Sequence, residues 1–152
     1  MVTEVIMNIR KFIEADLTDL FEVLSDPEVM TYIEDPYTLE ETKALLDDVM
    51  ADESPNIYAA ENDEGQFVGY VIFHQYEDDS YELGWLLKRA EWGKGYASRL
   101  TEMMIEDARK KNMNAVIECD PEQEVTKHIA KKYGFTFDEI FDGCEVYRLS
   151  LV

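Results

Sequence analysis

"YELGWLLKRAEWGKGYASRL", Tyr81–Leu100, decides how the rest of this chain is read. Its first nine residues make the apolar, β-favouring run of a strand. From about Gly95 a helical pattern opens and continues to Lys111, with Ala97, Leu100, Met104 and Ala108 on one apolar stripe. Between the two lies "WGKGY", two glycines one residue apart with an aromatic on each side. Where a strand meets a helix, successive main-chain N–H groups lack helical partners and point outward together, near the positive end of the helix dipole. Such a corner binds anions. Glycine at 93 and 95 tolerates positive φ and leaves no Cβ between main chain and ligand. Lys88, Arg89, Lys94 and Arg99 add positive charge nearby.

A lone G-x-G is weak, and the strand and helix around it supply its weight. The P-loop needs four residues between its glycines and then Gly-Lys-Ser/Thr, and no such run exists. The dinucleotide fingerprint needs a third glycine and an early β-α-β unit; position 98 is Ser and the unit lies past mid-chain. A tight turn with no ligand is the bland alternative.

Outward from the corner, "NIRKFIEA" (Asn8–Ala15) predicts a first strand. "DLTDLFEVLSD" then spaces Leu17, Leu20, Phe21 and Leu24 as a helix, which Asp26-Pro27 ends. Thr38 with Glu41 three residues on predicts a capped second helix. "NIYAAE" and "QFVGYVIFHQY" are strands about a turn at Asp63–Gly65, and "EDDS" turns the chain into the decisive stretch. Past the corner helix come "NAVIECD", a strand buried on both faces, and a short helix in "QEVTKHIAKKYGF" closed by Gly134. "FTFDEI" and "CEVYRLSLV" are two final strands about Asp142-Gly143. The order β-α-α-β-β-β-α-β-α-β-β predicts an α+β fold. It has a seven-stranded, mixed but mostly antiparallel sheet, four helices and a central β-α-β unit. No linker or repeat divides the 152 residues, so one domain is expected over 1–152.

The formal net charge of −20 excludes a general nucleic-acid binder. Residues 88–132 hold ten of the fourteen basic side chains against eight acids, and the remainder holds four against twenty-six. One basic segment in an acidic chain could hold an anion there and draw a cation elsewhere, although acidity alone equally suits solubility. No apolar run approaches the roughly 20 residues of a membrane span, and "MVTEVIMNIRKF" is no secretory signal. A cytoplasmic protein with no membrane partner is expected. Cys119 and Cys144 read as reduced core residues, and neither His74 nor His128 has metal-ligand company.

The stretch from "ELGW" through "EWGKGYA", with "DP" and "YGF" beyond it, resembles the core of the GNAT superfamily of N-acetyltransferases. Within it, the chain is most similar to the branch that acetylates ribosomal-protein N-termini and related amines. The superfamily's Gln or Arg three residues before the first glycine is Ala90 here, as it is absent in many members of that branch. The resemblance implies acetyl-CoA as co-substrate. The amides from Trp92 and Gly93 through Lys94, Gly95, Tyr96 and Ala97, with Ser98, would cradle its pyrophosphate. The backbone of Leu86, Leu87 and Lys88 would pair with the pantetheine arm like an added strand. The thioester would lie where the fourth and fifth strands splay, between Leu83–Trp85 and Val116–Glu118. The branch's "N-x-x-S" becomes Gln123 and Thr126, which keep hydrogen-bonding capacity.

Acetylating an amine needs a neutral nucleophile, a polarised carbonyl and a proton for the thiolate. Glu82, next to Gly84 on the strand facing the thioester, is the expected base, and amides near Leu86 the expected oxyanion donors. The superfamily's Tyr acid falls at Ala130, so Thr126 is the expected acid and Tyr133 the nearby alternative. Direct transfer needs no Cys119. The acceptor would enter over Ser25–Thr38, where Tyr32, Glu34 and Tyr37, with Glu28 and Asp35, suit a cationic amine. A protein N-terminus or a polyamine-like molecule fits. The rival reading is a CoA-binding sensor without transferase activity. An exposed edge strand at the C-terminus could pair two subunits as a homodimer.

Overall fold

The computed structural model describes residues 4–152. Seven strands form one sheet: β1 (Met7–Arg10), β2 (Ile57–Asn62), β3 (Phe67–Glu77), β4 (Ser80–Leu87), β5 (Asn114–Cys119), β6 (Thr136–Phe141) and β7 (Cys144–Leu149). Their spatial order is β1-β2-β3-β4-β5-β7-β6. Four α-helices connect them: α1 (Leu17–Leu24), α2 (Leu39–Ala51), α3 (Tyr96–Lys110) and α4 (Glu124–Lys132). β4 and β5 run parallel because α3 carries the chain back between them, and the other pairs are antiparallel. The mixed α+β sheet expected from the sequence is the one found.

Two differences from the expected elements have local causes. β1 ends at Arg10 rather than reaching Ala15. The buried Asp16 carboxylate accepts bonds from Arg10 Nη1 and Nη2, at 2.9 and 2.8 Å, and from the Ile13 N–H at 2.8 Å. That closes a 3₁₀ turn over Glu14–Asp16 and takes the chain off the sheet. The second difference is the sheet edge. β7 is interior, between β5 and β6, so the C-terminal edge is β6.

Period-two alternation in β4 divides the core. Leu83 and Leu87 face α3, packing with Leu100, Met104, Ile117 and Tyr147. Leu86 faces α1 and α2, with Tyr70, Leu20, Leu24 and Leu46. α2 starts on the expected capping box, Glu41 N–H to Thr38 Oγ1 at 3.1 Å and Thr38 N–H to Glu41 Oε1 at 2.9 Å. Gly69, beside a bulge in β3, is required by a close approach: a Cβ there would lie 2.2 Å from the Leu86 carbonyl oxygen.

Candidate active site

β4 and β5 pair only at Ser80, Tyr81 and Glu82, opposite Asn114, Ala115 and Val116. Beyond that point β4 continues to Leu87 and β5 to Cys119 unpaired with each other, so the two strands splay. A cavity of about 600 Å³ adjoins the opening, within the range of small-ligand sites. Its walls come from the α1–α2 loop (Glu28, Val29, Tyr32, Ile33), from Trp85–Leu87 of β4, from the glycine corner, and from the start of α4.

The corner has the conformation that its glycines suggest. Gly93 and Gly95 have φ of +77° and +83°, and Gly95 is the N-cap of α3. The first bond of that turn runs from Arg99 N–H to the Gly95 carbonyl at 3.1 Å, which leaves the amides of Tyr96, Ala97 and Ser98 without helical acceptors. Space is not the constraint. Nothing lies within 4 Å of a Cβ at Gly93, and at Gly95 the nearest atom is Val5 Cγ2 at 3.8 Å.

The main-chain edge of β4 refines the expected contacts. Lys88 N–H donates to the Val68 carbonyl at 2.9 Å, toward β3. By alternation the Leu86 amide also faces β3, opposite Tyr70, while those of Trp85 and Leu87 face the gap. Of Leu86, Leu87 and Lys88, only Leu87 therefore presents its main chain to a ligand in the opening. Trp85, absent from the expected set, does so as well. The Leu87 carbonyl already accepts from Trp92 Nε1 at 3.1 Å, which pins the corner to the strand. The amides free to donate into the opening are those of Trp85 and Leu87, and that of Leu86 is turned to β3.

Positive charge at the corner is neutralised by acids, some from distant segments and some one turn away. Lys88 pairs with Asp19 at 2.6 Å and Glu22 at 3.2 Å, Arg89 with Asp26 at 3.1 Å, and Lys94 with Glu91 at 3.0 Å. Arg99 reaches Glu4 and Glu102 at 3.5 and 3.6 Å. Burial alone would lower the Lys88 pKa, but its two carboxylates hold it above the ordinary lysine value. Lys88 and Lys94 do not line the cavity; its charged lining is Glu28, Glu91, Glu122 and Glu124. The cation that the sequence reading missed is Lys132, whose Nζ lies 3.4 Å from Ser98 Oγ. Among the described residues no carboxylate approaches it within 4 Å.

The expected chemical groups divide. Thr126, on the first turn of α4, lines the cavity. So does Gln123, whose Oε1 accepts from Asp120 N–H at 2.8 Å and shapes the turn before α4. Glu82 does not line it. Its carboxylate meets His74 Nε2 at 2.8 Å across β3 and β4, at the last paired position before the strands part. Tyr133, the expected alternative acid, lines a separate hollow with Arg99 and Met103 and not this cavity. Ala130 is fully buried, and burial pushes the Cys119 thiol up to about 11, so it stays protonated at neutral pH.

Of the acceptor-loop residues, Tyr32 lines the cavity and Glu34 and Tyr37 do not. Tyr37 packs on the α1–α2 core, its N–H donating to the Leu24 carbonyl at 2.8 Å; burial, then the Glu34 carboxylate, raise its phenol pKa. It braces the loop, and the carboxylate of this loop that lines the cavity is Glu28.

A splayed sheet, an amide corner at a helix start and a cavity joining them define an acyl-CoA-type transferase site. The family model described as an acetyltransferase (GNAT) domain matches residues 7–136. The uncharacterized N-acetyltransferase YnaD of Bacillus subtilis (strain 168) is 31% identical over 140 residues, 90% of this chain and 82% of its own. The crystal structure of a GNAT-family acetyltransferase from Bacillus anthracis superposes with a TM-score of 0.86 over 99% of both chains, at 24% identity. That of a spermidine N-acetyltransferase from Vibrio cholerae, in complex with CoA and spermine, gives 0.79 at 18% identity, over 93% of this chain and 92% of its own. At these identities the two structures speak to the fold. The chain belongs to the GNAT acetyltransferase family. It is an N-acetyltransferase, and acetyl-CoA is its co-substrate. No helix among the described residues is long and apolar enough to cross a membrane.

Proposed function

We propose that residues 1–152 act as one domain that moves an acetyl group directly from acetyl-CoA to the primary amine of a cationic acceptor. The observation that carries this is the lining of the cavity. It joins the amide corner to the Glu28–Ile33 loop, and among the described residues its charged side chains are all carboxylates. The amides from Gly93 to Ser98 would hold the diphosphate, with Lys132 beside Ser98 as the accompanying cation. The pantetheine arm would run along the free edge of β4 at Trp85 and Leu87, reaching past Gln123. The acetyl carbonyl would then lie in the opening, polarised by those amides.

In that arrangement an amine entering past Tyr32 and Glu28 attacks the carbonyl carbon. The C–N bond forms, the C–S bond breaks, and the electron pair leaves on sulfur. Glu82, at the narrow end of the gap, accepts a proton from the amine. Thr126, on the opposite wall, delivers a proton to the thiolate. Polyamines and protein N-termini both present the required charge. The V. cholerae relative is named for spermidine, and the resemblance to the ribosomal-protein branch favours an N-terminus. β6, an edge strand exposing Phe137, Ile140 and Phe141, is the surface we assign to pairing of two copies.

Free-thiol release from acetyl-CoA, measured with spermidine, ribosomal-protein N-terminal peptides and acidic amines, tests the reading. Turnover with a cationic acceptor and little with acidic ones is expected. Preference for an acidic acceptor overturns the acceptor class. CoA binding with no thiol release on any amine favours a sensor.

A further inference from the structure

We propose that His74 and Glu82 hold one exchangeable proton between them, and that this pair, rather than Glu82 alone, is the base that deprotonates the acceptor. The proposal rests on the acetyltransfer reading above, and it adds a residue that the reading does not use.

Hydrogen-bond bookkeeping at the imidazole leads to it. His74 lies within β3 opposite Glu82 of β4. Its Nδ1 is 3.0 Å from the Gln75 carbonyl oxygen. A carbonyl can only accept, so Nδ1 carries a hydrogen. Its Nε2 is 2.8 Å from Glu82 Oε1. A bare ring nitrogen facing a bare carboxylate oxygen at that distance would be repulsive, so a proton lies between them too. The resting pair is thus imidazolium with carboxylate, or imidazole with carboxylic acid. Either form carries one proton more than a base ready to accept.

The surroundings keep that proton available. The pair stands where β4 and β5 last touch: the Glu82 backbone, opposite Val116, marks the apex of the opening, and its carboxylate is held by His74 of β3. The two side chains are 27% and 20% exposed, which permits exchange with water. Glu118 of β5 adds negative potential, and its carboxylate is held by Tyr76 Oη from β3. Arg148 of β7, stacked 5.9 Å from the Tyr76 ring, is offset by Glu77 at 2.6 Å and Asp138 at 2.9 Å. Cys144 of β7 is a further titratable neighbour, within electrostatic reach of Glu82 and Glu118. The Glu82 hydrogen bond holds the imidazolium above the ordinary histidine value, against burial that would lower it.

A deprotonated pair takes one proton from the acceptor ammonium at Glu82, becomes the one-proton pair inferred above, and returns that proton to water at its exposed edge. After C–N bond formation the second N–H proton goes to the thiolate by way of Thr126. His74 acts through Glu82 and is a positioning residue.

The test follows the His74 ring nitrogens by NMR in the full-length chain across pH, alongside the pH profile of kcat/KM for spermidine. Expected in the wild type are two protonated ring nitrogens at pH 6 and a midpoint above the ordinary value of about 6.5, falling by about one pH unit in Glu82→Gln. The rising limb of kcat/KM tracks that midpoint. In His74→Gln, whose amide still donates to Glu82 but does not titrate, the limb moves to lower pH while the acetyl-CoA Kd changes less than about twofold. A His74 midpoint at or below 6.5 that ignores Glu82→Gln overturns the shared proton. An active wild type whose limb is unmoved in His74→Gln overturns the pair as base and leaves acetyltransfer standing. A wild type that shows the shared proton in NMR yet acetylates no amine overturns the base assignment together with the function it rests on.

Discussion

Gly95 supplies a backbone angle rather than room, since φ is +83° and a Cβ would meet only Val5 Cγ2 at 3.8 Å. An alanine fits the space but resists the left-handed region, at a cost of about 1–2 kcal/mol. Gly95→Ala is expected to lower stability by that amount in thermal melts. Because the same angle aims the Tyr96–Ser98 amides, calorimetry should also show acetyl-CoA bound at least about tenfold more weakly. Unchanged affinity would detach the corner from the cofactor. Thr126 faces the cavity from α4, so its hydroxyl and not its bulk is at stake. Thr126→Ala should reduce kcat by about 10²-fold with the acetyl-CoA Kd within about twofold, and Thr126→Ser should recover most of the loss. The glycine corner was legible in the sequence because strand, glycines and helix are contiguous. The neutralisation of Lys88 and Arg89 was not, since Asp19, Glu22 and Asp26 come from α1 and its end, more than sixty residues earlier. A local count of charge cannot see partners that only the fold brings together.

Among the elements, β4 bears the site, and its position is fixed from behind by β3. Gly69 lets the two backbones close to a distance at which a Cβ would stand 2.2 Å from the Leu86 carbonyl. Gly69→Ala must therefore push β4 away just where Trp85 and Leu87 face the gap. We expect a loss of about 3 kcal/mol or more in denaturant unfolding, with weakened acetyl-CoA binding in whatever folded protein survives. A neutral substitution would show that β4 is not held this closely. Register explains why one partnership was hidden. Counted back from the Asp78-Asp79 turn, Glu77 pairs with Ser80, and His74 would fall opposite Leu83. An irregularity between Gln75 and Glu77 shifts the ladder by one and sets His74 opposite Glu82 instead. The run "QFVGYVIFHQY" has nothing to mark that bulge, whereas Thr38 and Glu41 announce their capping box in the residues themselves.

For the molecule as a whole, element order and sheet type followed from hydrophobic period and turn residues, and within the Ser25–Thr38 loop Tyr32 and Glu28 reach the cavity while Glu34 and Tyr37 do not. Stability at low pH reports on the network that ties β1, β2 and the entry to α1 together. Burial would raise the Asp16 carboxyl, but bonds from Arg10 and the Ile13 N–H outweigh it and leave the pKa below the ordinary value. Glu61, bonded by Arg10 and Asn8, is lowered too. A carboxylate depressed in the folded state contributes stability above its unfolded pKa and loses it as pH falls through the folded one. Urea melts should thus show stability falling as pH drops below about 4, and Asp16→Asn should remove about 2 kcal/mol at pH 7 while flattening that fall. A variant that keeps the wild-type slope would place the acid sensitivity elsewhere. The most direct test is a crystal structure of the chain grown with acetyl-CoA. Diphosphate oxygens within hydrogen-bonding distance of the Gly93–Ser98 amides, and the thioester between β4 and β5, are the outcome expected. Coenzyme bound elsewhere, with that corner empty or closed by side chains, would contradict the account.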